Sequence, residues 1–151
     1  MAFLKDQLGD RMKNYENVER RYLTRRIPAI IRIDGKAFHT FTRGFRKPFD
    51  SVFREAMENT MLYLCENIQG CVLGYQQSDE ISLVLTDYKD LDTDAWFGYN
   101  VQKCASVAAS MASMAFNKFY REAVERWRWK HLPVGDVDEI LEAFVDVEVG
   151  E

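Results

Sequence analysis

Cysteine is scarce in this chain. Only three occur, Cys65, Cys71 and Cys104, an odd number with no CxxC pair. That argues against a disulfide framework and against a thiolate zinc site. Long apolar runs are missing too, and nothing approaches the roughly 18 uninterrupted apolar residues that span a bilayer. The opening stretch MAFLKDQLGDRMKNYENVER carries charges where a secretory signal needs an apolar core. The reading is a cytoplasmic protein with no membrane partner. Internal repeats, linkers and low-complexity segments are also absent.

What is present suits one globular domain. The chain has 151 residues, 47% hydrophobic and 29% charged. That is a one-domain length and an ordinary soluble composition, which excludes global disorder. Its charge is uneven. The net value is −4, yet residues 1–56 hold 13 basic and 7 acidic side chains, and residues 57–151 hold 7 and 17. A basic half on an acidic protein fits a localised polyanion site. A solvated basic helix face is the plainer alternative.

Leu4, Leu8, Met12, Tyr15, Val18 and Tyr22 recur at helical spacing and predict a helix of about five turns. Pro28 breaks it, and Ala29–Ile33 reads as a buried β-branched strand. Asp34-Gly35 is a turn signal. Lys36 to Pro48 reads as a loop or short helix. Asp50 or Ser51 caps a second helix to about Asn67. Cys71–Tyr75 and Ile81–Leu85 read as a hairpin around Gln76–Glu80. Thr93 is the expected cap of a third helix carrying Trp96, Val101, Ala105, Ala108 and Met111. Trp127–Pro133 is expected to leave that helix, Asp136 to cap a short one, and Val145, Val147 and Val149 to form a last strand.

The core of this order is βαββαβ, an α+β ferredoxin-like arrangement with an antiparallel sheet in the order 4-1-3-2 and an extra N-terminal helix. In that topology the end of the first strand meets the start of the third. Asp34, Asp79 and Glu80 then converge on one rim. Three carboxylates repel one another unless a cation joins them, and hard oxygen donors favour Mg²⁺. Such a cluster on an open sheet fits phosphoryl transfer with two metal ions. A plain Asp-Gly turn and a solvated hairpin tip account for the same residues. Lys36, Arg43, Arg46 and Lys47 could meet phosphates, and Phe38, Phe41 and Phe45 could stack on a base or pack in the core. His39 could bond a triphosphate or ribose, or be structural. Trp127 and Trp129, among Arg126, Arg128 and Lys130, read as packing or interface residues before RNA contacts.

IRIDGKAFHTFTRGFRKPFD and LGYQQSDEISLVL closely resemble the tRNA-His guanylyltransferase superfamily, nearest its bacterial and archaeal branch of 3′–5′ RNA polymerases. The likeness runs over about residues 7–120. It implies a single palm-like catalytic domain over 1–151: an N-terminal helix at 1–26, a palm core at 28–120 and a divergent segment at 121–151. It implies nucleotide addition to the 5′ end of tRNA, with GTP and ATP as substrates. Asp34 and Asp79 match the carboxylates that hold two Mg²⁺ ions, Gly35 supplies a carbonyl, and Glu80 matches the acidic neighbour needed for activity. Asp34, Gly35, Lys36, Ala37, Phe38, His39, Ser78 and Asp79 match nucleotide-binding segments. Arg32, Lys47 and Asp50 match further positions of the motif, and Arg43 and Arg46 join Arg32 and Lys47 as candidate RNA or phosphate contacts. The family assembles as dimers and tetramers, so a homo-oligomer is expected. The family's later motifs have no counterpart in residues 121–151, which keeps open a second reading, a nucleotide- and RNA-binding palm module that does no chemistry.

Overall fold

The computed structural model describes residues 7–46 and 50–131. Three strands, β1 (Ala29–Asp34), β2 (Cys71–Gln77) and β3 (Glu80–Leu85), form an antiparallel sheet in the order β1-β3-β2. Helices α1 (Gln7–Val18), α2 (Phe38–Phe41), α3 (Ser51–Asn67) and α4 (Val101–His131) complete the architecture, with a 3₁₀ turn at Trp96–Tyr99. The expected fourth strand at 145–149 and the short helix after Asp136 lie outside the described residues.

The sheet has one dry face. Ile81, Leu83 and Leu85 of β3 are buried, while Glu80, Ser82 and Val84 alternate with them on the other side. This period-2 pattern follows from strand geometry, which points successive side chains to opposite faces. Helix α3 covers β2, and α4 packs beside α3 and over β1. Contact is close: a Cβ on Gly74 would lie 2.5 Å from Cys65 Sγ and 3.0 Å from Met61. Small residues let α4 approach, and its buried positions are Cys104, Ala108, Ala112, Ala115 and Ala123. The opposite sheet face, with Ile30, Leu73 and Tyr75, is exposed.

Several boundaries differ from the sequence expectation. Within the described residues α1 ends at Val18, and Tyr22 instead bridges to Asn100. Backbone bonds from Leu23 N to Tyr99 O (3.1 Å) and from Val101 N to Arg21 O (2.9 Å) pull this segment out of helix. Thr93 caps no helix; its hydroxyl accepts from Asp90 N. Left-handed Phe97, Gly98 and Tyr99 interrupt the chain, and α4 starts only after Asn100, whose Oδ1 accepts from Lys103 N at 3.0 Å. Val101 and Ala105 consequently face solvent. Trp127–His131 continue α4 rather than leaving it.

Candidate active site

β1 and β3 pair in a register that sets Asp34 opposite Glu80. The β2–β3 connection is only two residues, Ser78 and Asp79, because Gln77 and Glu80 already pair. Gly35 N donates to the Asp79 carbonyl at 3.2 Å. This bond ties the exit of β1 to the hairpin tip, and the two aspartates meet at one rim of the sheet. Two left-handed residues flank them, Ala37 (φ 56°) and Ser78 (φ 54°). Neither is glycine, and each costs about 1–2 kcal/mol. Strain of this kind persists where the surroundings over-determine it, commonly at binding sites.

Two clefts open on the rim, and Asp34, Gly35, Phe38 and Asp79 line both. The first, of about 740 Å³, adds Ala37, His39, Thr42, Phe45, Arg46, Asp50, Phe53 and Ser78. Asp50 is also the cap of α3, its Oδ1 accepting from Val52 N and Phe53 N at 3.0 Å each. The second cleft, of about 600 Å³, lies on the helix side and adds Lys36, Thr60, Ser113, Asn117, Tyr120 and Arg121 among its walls. Burial, then the nearby Asp50 charge, pushes the Tyr120 hydroxyl above its usual value, so it stays a neutral donor at pH 7.

Most of the expected residues line one or both clefts, and the others do not. Glu80 lines neither cleft. Its side chain shares a sheet face with that of its cross-strand partner Asp34, and Arg32 Nη2 lies 3.6 Å from its Oε2. Both side chains are well over a third exposed, so the pair contributes about 0–1 kcal/mol. Of the three carboxylates only Asp34 and Asp79 line the clefts, and the described residues contain no group of three or more His, Cys, Asp or Glu able to hold a metal. Arg32 and Arg43 line neither cleft, Lys36 lines only the second, and Lys47 lies outside the described residues. Phe38 packs against Phe41, Phe53 and Phe116 at centroid distances of 5.4, 5.8 and 5.2 Å, so its ring belongs to an aromatic cluster while also lining both clefts. Sequence reasoning missed Thr42 and Phe53, and the α4 residues Ser113, Asn117 and Arg121. The signal for the last three was their four-residue spacing along one flank of the alanine face.

The donor set suits a hard cation. Asp34 and Asp79 offer oxygens only, and neither has an ion-pair partner among the described residues. Two carboxylates are the usual protein share of a Mg²⁺ site, which keeps water and substrate phosphate as its other ligands.

The family model for tRNAHis guanylyltransferase (Thg1) matches residues 9–140. The chain belongs to the tRNAHis guanylyltransferase family. Two solved structures of bacterial tRNA(His) guanylyltransferase (Thg1)-like protein are each 54% identical to it with a TM-score of 0.73. One, in complex with GTP, aligns over 78% of this chain and 54% of its own. The other, in complex with ATP, aligns over 76% and 50%. An uncharacterised mimivirus protein, R259 of Acanthamoeba polyphaga mimivirus, is 33% identical over 124 residues, 78% of this chain and 42% of its own length. This member of the guanylyltransferase family thus spans about half the length of the bacterial structures it matches and less than half that of the curated relatives.

Proposed function

We propose that this chain is a Mg²⁺-dependent nucleotidyltransferase that adds nucleotides in the 3′–5′ direction to the 5′ end of tRNA, in repair or in tRNA-His guanylylation. The observation that carries the reading is the rim at which the Gly35–Asp79 backbone bond brings Asp34 and Asp79 together between two clefts. Family membership supports the reaction class. The GTP and ATP complexes of the bacterial relatives support nucleoside triphosphates as ligands.

In this reading the first cleft takes the incoming nucleoside triphosphate. The edges of Phe38 and Phe45 border the base, His39, Asp50 and Ser78 offer polar contacts, and Arg46 meets phosphate. The Asp34 and Asp79 carboxylates, with the Gly35 carbonyl, would hold Mg²⁺. Two such ions, when bound, supply charge for the attacking oxygen and the leaving group. The nucleotide's 3′-hydroxyl attacks the activated 5′ phosphorus of the RNA. An O3′–P bond forms, the bond to AMP or pyrophosphate breaks, and the hydroxyl proton passes to solvent. Arg32 and Glu80 position the hairpin turn from the open face, and Arg43 and Lys47 serve the RNA backbone. The sheet is then three strands of a palm whose fourth is 145–149, in a cytoplasmic dimer or tetramer.

The test is extension of a 5′-truncated tRNA with labelled GTP and Mg²⁺. Extension is expected from the wild type and none from Asp34→Asn or Asp79→Ala, with melting temperatures unchanged or slightly raised without metal, because carboxylate repulsion is relieved. Failure of the wild type where a longer bacterial relative extends the same tRNA would overturn the reading. GTP binding without extension would leave the module that binds and does no chemistry.

A further inference from the structure

The end of the sheet away from the carboxylate rim, where Cys71 pairs with Leu85, holds two cysteines that the proposed reaction does not use. We propose that Cys65 on α3 and Cys71 on β2 form a reversible oxidation site, whose thiols close into an internal disulfide when a peroxide oxidises them. The inference does not depend on the reading above. A total of three cysteines argues against a disulfide framework but leaves room for one such pair.

Three observations bring the thiols together. The β2–β3 register shifts between Cys71 and Leu73, so Val72 is an extra residue in the strand. Strict alternation from Gly74, on the helix side, would turn Cys71 to the open face; the bulge re-aims it to the side that α3 covers. The strand also makes room for the partner sulfur. A Cβ on Gly74 would lie 2.5 Å from Cys65 Sγ, so glycine leaves that sulfur its place against the strand. Finally, both cysteines pack against the same core cluster, both stay half-buried, and the Cys71 thiol lies within hydrogen-bond reach of the Cys65 sulfur. Cys104 differs: it is buried on α4, and its thiol donates to Trp96 O at 3.5 Å.

Burial, then the Cys65 thiol, pushes Cys71 up to about 11, so Cys71 stays protonated at pH 7 and Cys65 attacks first. The Cys65 sulfur displaces hydroxide from the O–O bond of hydrogen peroxide and becomes a sulfenic acid. The Cys71 sulfur then attacks the Cys65 sulfur, the S–O bond breaks, and the thiol protons leave with the two hydroxides as water. Two thiols lose two electrons and two protons, and one peroxide becomes two waters. The bridge joins the far ends of α3 and β2, whose other ends lead to Asp50 and Ser78 at the first cleft. It braces the helix against the hairpin.

The test is hydrogen peroxide added to the reduced protein, followed by alkylation of the remaining thiols in denaturant and peptide mass mapping. A peptide linking Cys65 to Cys71 is expected, with Cys104 alkylated, and dithiothreitol should restore all three thiols. Cys65→Ser and Cys71→Ser should each abolish the link, and Cys104→Ser should leave it unchanged. The oxidised wild type should melt at a higher temperature than the reduced protein, because the bridge restricts the unfolded chain. Sulfinic acid at either cysteine without a link, or a link between two chains, would overturn the inference. So would a linked form that melts at a lower temperature, since the thiols would then meet only in a partly unfolded chain.

Discussion

Gly35 has no room for a methyl group. A Cβ built there would fall inside the Phe38 ring, which itself packs on Phe41, Phe53 and Phe116. The glycine therefore serves packing as well as the close approach of a ligand to backbone. Overpacking of this kind costs about 1–3 kcal/mol. Because Phe38 and Gly35 line both clefts, a displaced ring also narrows them. Gly35→Ala is expected to lower the melting temperature by several degrees and to weaken GTP binding at the same time. Paired Gly35→Ala and Phe38→Leu changes should recover much of the stability, since the smaller side chain vacates the space. Calorimetry with GTP titration checks both, and an unchanged melting temperature for the single variant would rule out the steric account.

At the scale of elements, the chain between α1 and β1 is held by a buried carboxylate. Asp87, just past β3, has a fully buried side chain; Arg25 Nε donates to its Oδ2 at 2.5 Å and Arg26 N to its Oδ1 at 2.9 Å. Burial alone would raise its pKa, but these hydrogen bonds and the Arg25 charge outweigh burial and hold it below the ordinary carboxylate value. The sign of the linkage follows. A group whose folded value lies below its unfolded one, near 3.9, stabilises fully above that pH and loses its contribution as pH falls through the folded value. Asp87→Asn is expected to lower the melting temperature at pH 7, and the gap to wild type should close below about pH 4. A gap that stays constant with pH would remove Asp87 from the account. These tertiary ties also explain which elements the sequence disclosed. Alternation in Ile81–Leu85, the Asp50 cap and the Asp-Gly turn are local signals, and the strands and α3 could be read from them, whereas the approach of Asp34 to Asp79 follows only from the assumed strand order. The end of α1 and the start of α4 depend on partners far along the chain. Tyr22 is drawn to Asn100, Phe97 to Tyr99 adopt left-handed backbone, and Arg32 meets Glu80, none of which a periodicity records.

On the whole molecule, surface is divided by both hydrophobicity and charge. Leu8, Met12, Tyr15 and Val18 on α1 are all more than half exposed, at 60%, 52%, 64% and 78%, so the described residues leave this stripe uncovered. The charge division decides how a polyanion binds. A protein of net charge −4 should repel RNA at long range if its charge were evenly spread. Residues 1–56 instead hold a surplus of six positive charges, and they include Arg46 at the first cleft and Lys36 at the second. The acidic surplus belongs to residues 57–151, and screening at physiological salt confines its repulsion to about 8 Å. RNA binding should therefore behave as binding to a basic protein does, with counterions released from each neutralised phosphate. Affinity for a tRNA acceptor hairpin is expected to fall roughly tenfold or more between about 50 and 200 mM salt, as three or so phosphate contacts require. GTP affinity at constant Mg²⁺ should fall much less over the same range, because its contacts lie inside a cleft where added ions screen poorly. Fluorescence anisotropy at four salt concentrations gives both slopes. An RNA affinity that rises with salt would mean that the acidic residues govern the encounter, and the basic half would lose its assigned role.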